Sequence, residues 1–280
     1  MSREKKTKRI ARVIFKVGLL SVMAFFTSHK LHAHEVWLEP ETFIAQKGQA
    51  IAVSIKNGET LSGMSLPYLE TRFERFYVDL NSRNTKIAGR AGDLPAASIT
   101  PQSDGLLSIV YASKASRLTY RVWDKFVAFA THKAQEHALE THAKLGFPKE
   151  NFQEVYFRFV KALIGVGAAQ GQDKAQGLEI EFVALDNPYR SRLDHLDVLL
   201  LYKGAPLPNA QVEVFERNSE KSVTVFTVRT NNAGQAAIPV KANHDYLLDS
   251  VVLRRAEAKV HGDALWVSLW AALTFAVPAQ

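Results

Sequence analysis

The run Leu31-His32-Ala33-His34-Glu35-Val36-Trp37 places a histidine directly after a small residue, downstream of a basic and then an apolar segment. If the chain is cut after Ala33, His34 carries a free amine as well as an imidazole. Those two nitrogens close a six-membered chelate ring on a metal ion. The preceding segment has the form that such a cut requires. Met1 to Lys16 holds Arg3, Lys5, Lys6, Lys8, Arg9, Arg12 and Lys16 against Glu4 alone, and Val17 to Phe26 is apolar apart from Gly18 and Ser21. A basic stretch followed by a short apolar one reads as a secretory signal, too short to span a bilayer. The expectation is export to the periplasm, with residues 1–33 removed and cleavage between Ala33 and His34.

Two nitrogens from one residue suit nickel, cobalt, copper or zinc far better than calcium or magnesium, and both can be deprotonated at neutral pH when a cation competes. One residue does not fill a coordination shell. The chain has no cysteine, so further ligands must come from His, Asp, Glu or Met, and disulfides and thiol catalysis are excluded. His132 and His137 are the foremost candidates, followed by Glu136, His142, His195, His244, His261 and Asp263. Position three after the cut is Val36, so the amino-terminal copper and nickel motif that needs histidine there is absent. On a helix, residues five apart are rotated by about 140°, so His132 and His137 do not share a face, whereas His132, Glu136 and Glu140 stack along one side. That stripe is half a metal site or a solvated helix face.

Charge follows from the same cut. Residues 1–33 hold eight of the 35 Lys and Arg and one of the 28 Asp and Glu, which leaves 27 of each in the remainder. The basic isoelectric point therefore belongs to the targeting segment and gives no support for nucleic-acid binding. No later segment is apolar for long enough to cross a bilayer as a helix, so no stable membrane insertion of the mature chain is expected. There is no Gly-rich phosphate loop, no Gly-x-Ser-x-Gly elbow and no His-Glu-x-x-His helix, which disfavours common hydrolases and nucleotide enzymes.

The elements that must position these residues are mainly β. Ala50 to Ile55, Arg75 to Leu80 and Leu107 to Tyr111 are short strand-like runs separated by Asn57-Gly58, Gly89 to Gly92 and Asp104-Gly105. That spacing predicts a sandwich. Lys125 to Leu145 is rich in helix formers, and Phe152, Val155, Tyr156, Phe159, Val160, Leu163 and Ile164 recur at helical spacing, so two helices are predicted at about 122–167. Glu154, Arg158 and Lys161 would then lie at helical offsets as a surface or interdomain ion network. Trp37, Trp123, Trp266 and Trp270 are expected to be buried. From Leu178 the strand pattern returns, with Asp197 to Tyr202, Gln211 to Phe215, Val223 to Arg229, Gln235 to Val240 and Asp245 to Leu253. The predicted organisation is two immunoglobulin-like or β-sandwich units, 34–190 and 191–280, with the two-helix insertion between them.

Gly204-Ala205-Pro206-Leu207-Pro208-Asn209-Ala210-Gln211-Val212, followed by Thr230-Asn231-Asn232-Ala233-Gly234, resembles transthyretin-like or carboxypeptidase-regulatory-like modules, in which these phrases are turns between strands. Over the whole chain, His32-Ala33-His34-Glu35-Val36-Trp37-Leu38-Glu39-Pro40, Glu154-Val155-Tyr156-Phe157-Arg158-Phe159-Val160 and Leu265-Trp266-Val267-Ser268-Leu269-Trp270, in that order, resemble domain of unknown function 4198. That family is similar to periplasmic components labelled nickel or cobalt transport proteins. The resemblance implies an exported β-sandwich whose mature terminus begins with histidine and holds a divalent ion, with a membrane metal-uptake system as its partner. One departure is Asn243-His244, where the family often has glycine before the final Tyr-Leu-Leu.

Three functions are compatible with this reading. The first is a non-enzymatic metal-binding protein serving uptake or handling of nickel, cobalt or copper. The second is a copper oxygenase of the histidine-brace type, which needs a second histidine beside His34. The third is a binding or scaffold module without metal.

Overall fold

Alternating and doubly apolar runs dictate a protein of strands, and the computed structural model describes residues 34–190 and 193–279. The predicted signal segment and Ala33 lie outside the described residues. In chain order the strands are β1 (Glu35–Pro40), β2 (Ile44–Ala45), β3 (Ile51–Glu59), β4 (Ser62–Leu66), β5 (Phe73–Leu80), β6 (Arg83–Lys86), β7 (Ala97–Ile99), β8 (Gly105–Ser113) and β9 (Ser116–Tyr120). Helices α1 (Trp123–His132) and α2 (His137–Lys144) follow. Then come β10 (Phe152–Val166), β11 (Ile180–Ala184), β12 (His195–Tyr202), β13 (Ala205–Pro206), β14 (Gln211–Arg217), β15 (Val223–Arg229), β16 (Gln235–Pro239), β17 (His244–Arg255), α3 (Ala258–His261) and β18 (Trp266–Val277).

The central layer is a sheet in the order β15-β14-β17-β18-β10-β8-β5-β6. Its middle strands are covered on both faces, which is why β10 and β18 read as near-continuous apolar runs. One face carries Val155, Phe159, Leu163, Val267, Leu269, Leu273 and Phe275 against Ile180, Phe182, Val198 and Leu200 of the β11-β12 sheet. The other face carries Val160, Ala162, Ile164, Leu247 and Phe215 against Trp37, Leu38, Ile51 and Val53 of the β1-β3 sheet. Next to that small sheet, on the same face, the α1–α2 hairpin packs Phe126, Phe129 and Ala138 on Trp266, Trp270 and Val251. The result is a layered, sandwich-like, mainly β architecture. Its central sheet draws β5, β6, β8 and β10 from the first part of the chain and β14, β15, β17 and β18 from the second. The two parts meet in the parallel pairing of β10 with β18.

The insertion differs from its predicted form. Both helices fall inside the stretch read as one helix, because the chain turns at Ala134, whose φ is +52°, and the Gln135 amide bonds back to the Ala130 carbonyl. The second predicted helix is instead strand β10. Its spacing of apolar positions satisfies a helical template, but Phe157 and Ala162 fill the gaps. A strand buried on both faces, rich in aromatic and β-branched residues, is the state that buries all of them. Glu154, Arg158 and Lys161 are accordingly not a helical surface network. Glu154 and Arg158 share one face of β10, and Lys161 points to the other, where it is buried and pairs with Asp173 at 2.7 Å. The stripe of His132, Glu136 and Glu140 is likewise broken, with His132 ending α1 and the two glutamates beyond the turn.

Candidate functional site around His34

Sheet register builds the site. Glu213 of β14 lies directly opposite Asp249 of β17, and Asp249 opposite Ala272 of β18. One row further along, Val251, Trp270 and Arg158 are neighbours across β17, β18 and β10. Like charges directly opposed on adjacent strands repel, and both carboxylates are buried. A cation must therefore sit between them. Lys133, the residue that caps the C-terminal end of α1, supplies it. Its Nζ donates to Asp249 Oδ1 at 2.9 Å, to Glu35 Oε1 at 3.2 Å and to Glu213. Glu35 is the first residue of β1, so this one ammonium ties the start of the small sheet to the helical hairpin and the central sheet.

Electrostatics follow burial. The Glu35 carboxyl is pushed up to about 7 by desolvation against the opposing pull of Lys133, with Asp249 and Glu213 adding to the rise. Asp249 is raised for the same first reason. Glu213 goes the other way despite its burial, because His132 and Lys133 both bond to it. Burial alone would lower Lys133, but the three carboxylates outweigh it and hold the ammonium above its ordinary range.

His34 sits just outside this cluster. Its carbonyl accepts a hydrogen bond from Arg158 Nη2 at 2.9 Å, and the Arg158 guanidinium lies on the Trp270 ring at 3.8 Å. The indole is itself fixed, since Trp270 Nε1 donates to Ser268 Oγ at 2.9 Å and Ser268 donates to buried Glu154, which also accepts from Tyr120 at 2.8 Å. Because Glu35 pairs with Gly58, His34 falls opposite Glu59, and its Nε2 lies 3.5 Å from Glu59 Oε1. Both side chains are about half exposed.

The predicted ligands divide clearly. His132 joins the same neighbourhood: its Nε2 lies 2.8 Å from Glu213 Oε1, and Gln211 Nε2 holds its carbonyl at 2.8 Å. The dipeptides His34-Glu35 and His132-Lys133 are thus joined through Glu35 and Lys133. His137 lies elsewhere, with Nε2 bonded to the Leu253 carbonyl at 3.0 Å, four residues along β17 from Asp249, or about 13 Å at strand rise. Glu136 is exposed at the start of α2. His142 is buried, accepting from Trp266 Nε1 at 3.1 Å and bonding to the Pro148 carbonyl at 3.0 Å. His195 lies 3.8 Å from Asp197, His244 bonds to the Ala242 carbonyl, His261 to Glu257, and Asp263 pairs with Arg117. None of these described contacts leads to His34. Sequence reasoning missed Glu35, Glu59, Lys133, Glu213 and Asp249. Glu35 and Lys133 each adjoin a predicted histidine, but only tertiary pairing reveals their meeting.

Among solved structures, the adhesin InvE of Yersinia pseudotuberculosis is similar at 12% identity and a TM-score of 0.20, the match covering 87% of this chain and 58% of the adhesin chain. The chain thus spans less than two thirds of the length of that structure. No curated protein matches it. The family model described as Domain of unknown function (DUF4198) matches residues 31–253, and the chain belongs to that family.

Proposed function

We propose that the chain is an exported periplasmic protein that binds a divalent transition metal through the amine and imidazole of His34 once residues 1–33 are removed. Nickel or cobalt is favoured and copper is compatible; the protein acts as an accessory to metal uptake or handling, not as an enzyme. The observation that carries this reading is the His34–Glu59 contact. With Nε2 lying 3.5 Å from a carboxylate, Nδ1 is left for the metal, and Nδ1 is the nitrogen that closes the six-membered ring with the amine. A carboxylate behind a ligating imidazole fixes its orientation and raises its basicity. The Arg158 bond to the His34 carbonyl and the Lys133 bond to Glu35 hold the first two residues of the mature chain in place. The resemblance to nickel and cobalt transport components points the same way, with a membrane uptake system as partner. The alternative, a brace-type copper oxygenase, would need a second histidine as a ligand beside His34.

Sequencing the exported protein should find His34 first. Titration with nickel, cobalt and copper should then give tight one-to-one binding to the tag-free protein. A chain with one extra alanine before His34 should lose that binding, because the amine becomes an amide. Equal affinity in the extended chain, or a start elsewhere than His34, overturns the proposal.

A further inference from the structure

Lys133 and Asp249 meet under conditions that suit a covalent bond as well as an ion pair. Their side chains are 2% and 1% exposed, and Nζ lies 2.9 Å from Oδ1. Asp249 Oδ2 is buried with no hydrogen-bond partner among the described residues. Glu213, directly across the strand pair from Asp249, contacts the same Nζ, and the Trp270 ring closes one side with its centre 4.9 Å from that nitrogen. Among the described residues, the groups that bond to Lys133 Nζ are all carboxylates.

We infer that Lys133 and Asp249 condense to an intramolecular amide that staples the helical hairpin to the central sheet. Attack needs the neutral amine, so the proton first passes along the 2.9 Å bond from Nζ to Asp249, whose carboxyl burial raises; this transfer runs against the pull of the three carboxylates on the ammonium and is the uphill step. Nζ forms a bond to Asp249 Cγ. Glu213 takes the next N–H proton and returns it to the departing hydroxyl, which leaves as water. One N–C bond is made and one C–O bond is broken; nothing is oxidised or reduced, and no outside reagent is needed. Glu213 keeps its contact with His132, and Glu35 stays within the electrostatic reach of Arg158. In a chain without cysteine, this link between residues 116 apart would do what a disulfide does, restricting the unfolded chain.

A second buried pair supplies the contrast. Lys161 donates to Asp173 at 2.7 Å, to the Phe182 carbonyl at 2.9 Å and to the Lys174 carbonyl at 3.2 Å, so no second carboxylate is in place to relay a proton. It should remain an ion pair.

The test is the intact mass of the full exported chain in denaturant, compared with the mass calculated from its sequenced amino terminus. The expected result is a deficit of one water, with protease mapping giving a branched fragment that joins the peptides of Lys133 and Asp249. Glu213→Gln, which keeps the shape but removes the relay, should restore the full mass while circular dichroism stays native. A full-mass wild-type chain overturns the proposal, and so does a water deficit that maps to any other pair. The outcome does not depend on metal, so it stands or falls separately from the chelate.

Discussion

Arg158 and Trp270 face each other across the parallel pairing of β10 and β18, and the guanidinium lies 3.8 Å from the centre of the indole. The flat cation spreads over the ring and still reaches the His34 carbonyl, so one side chain fixes the residue before β1 to the framework. A lysine keeps the charge but has neither the plane nor the fork. Arg158→Lys should therefore lower stability by about 1–2 kcal/mol, from the stacking and the charged hydrogen bond together. Urea unfolding followed by tryptophan fluorescence reads this directly. An unchanged midpoint would mean that the contact holds nothing.

Glu35 should make the protein less stable as the pH rises. Its carboxyl is pushed from an ordinary 4.5 up to about 7 by burial, so the folded state keeps a proton that the unfolded state has already released. Where the folded state binds more protons, stability falls with increasing pH. The contribution is fully present below about pH 4.5, is lost as the pH climbs toward 7, and is on the order of 3 kcal/mol. Glu35→Gln carries no titrating group, so its unfolding free energy should fall less than that of wild type between pH 4.5 and 7.5. Parallel profiles would show that Glu35 titrates normally in the folded protein.

His142 supplies the opposite slope on the acid side. The ring is buried among Trp123, Phe126, Phe152 and Trp266. One nitrogen accepts from Trp266 and the other faces the Pro148 carbonyl, so the neutral form with its proton on Nε2 satisfies both. Burial pushes its protonation down. The unfolded chain takes up a proton near pH 6.5 while the folded chain resists, so this contribution is present above about pH 6.5 and is lost as the pH falls. His142→Gln retains a donor and an acceptor without titrating. It should lower the melting temperature at pH 7.5 yet remove part of the drop between pH 6.5 and 5, and a drop equal to that of wild type would refute the assignment.

The fold class and half of the strands were legible because alternation and turn chemistry are local. Val223 to Arg229 is strand β15 as predicted, and Asp197 to Tyr202 lies within β12. Strand β10 was misassigned because its apolar residues fit two periods at once; only its pairing with β18 decides between them. Asn57-Gly58 was read as a turn, but β3 runs through it and the chain reverses at Thr60 and Leu61, both with positive φ. For the site, His34 and His132 were visible as residue types. The acids around Lys133 were not, since Glu35, Glu213 and Asp249 lie far apart in the chain and are brought together only by sheet register.

The same hairpin gives the sharpest test of the chelate. Gly58 and Gly63 are opposed on β3 and β4, and a Cβ on Gly58 would lie 2.1 Å from the Ser62 carbonyl oxygen and 2.4 Å from the Gly63 Cα. Both obstacles are backbone, so Gly58→Ala must shift the strand that carries Glu59. Glu59→Gln leaves the backbone alone and removes only the carboxylate behind His34. Because that pair is half exposed, Glu59→Gln should alter stability by less than about 0.5 kcal/mol while weakening metal binding about 10–100-fold, the usual result of losing the carboxylate that orients a ligating imidazole. Gly58→Ala should weaken binding at least as much and also lower the melting temperature. Calorimetric titration with nickel of protein beginning at His34 distinguishes the cases. If Glu59→Gln binds as wild type does while the amine-blocked chain does not, the chelate stands and Glu59 has no part in orienting it; if neither change matters, the metal is not at His34.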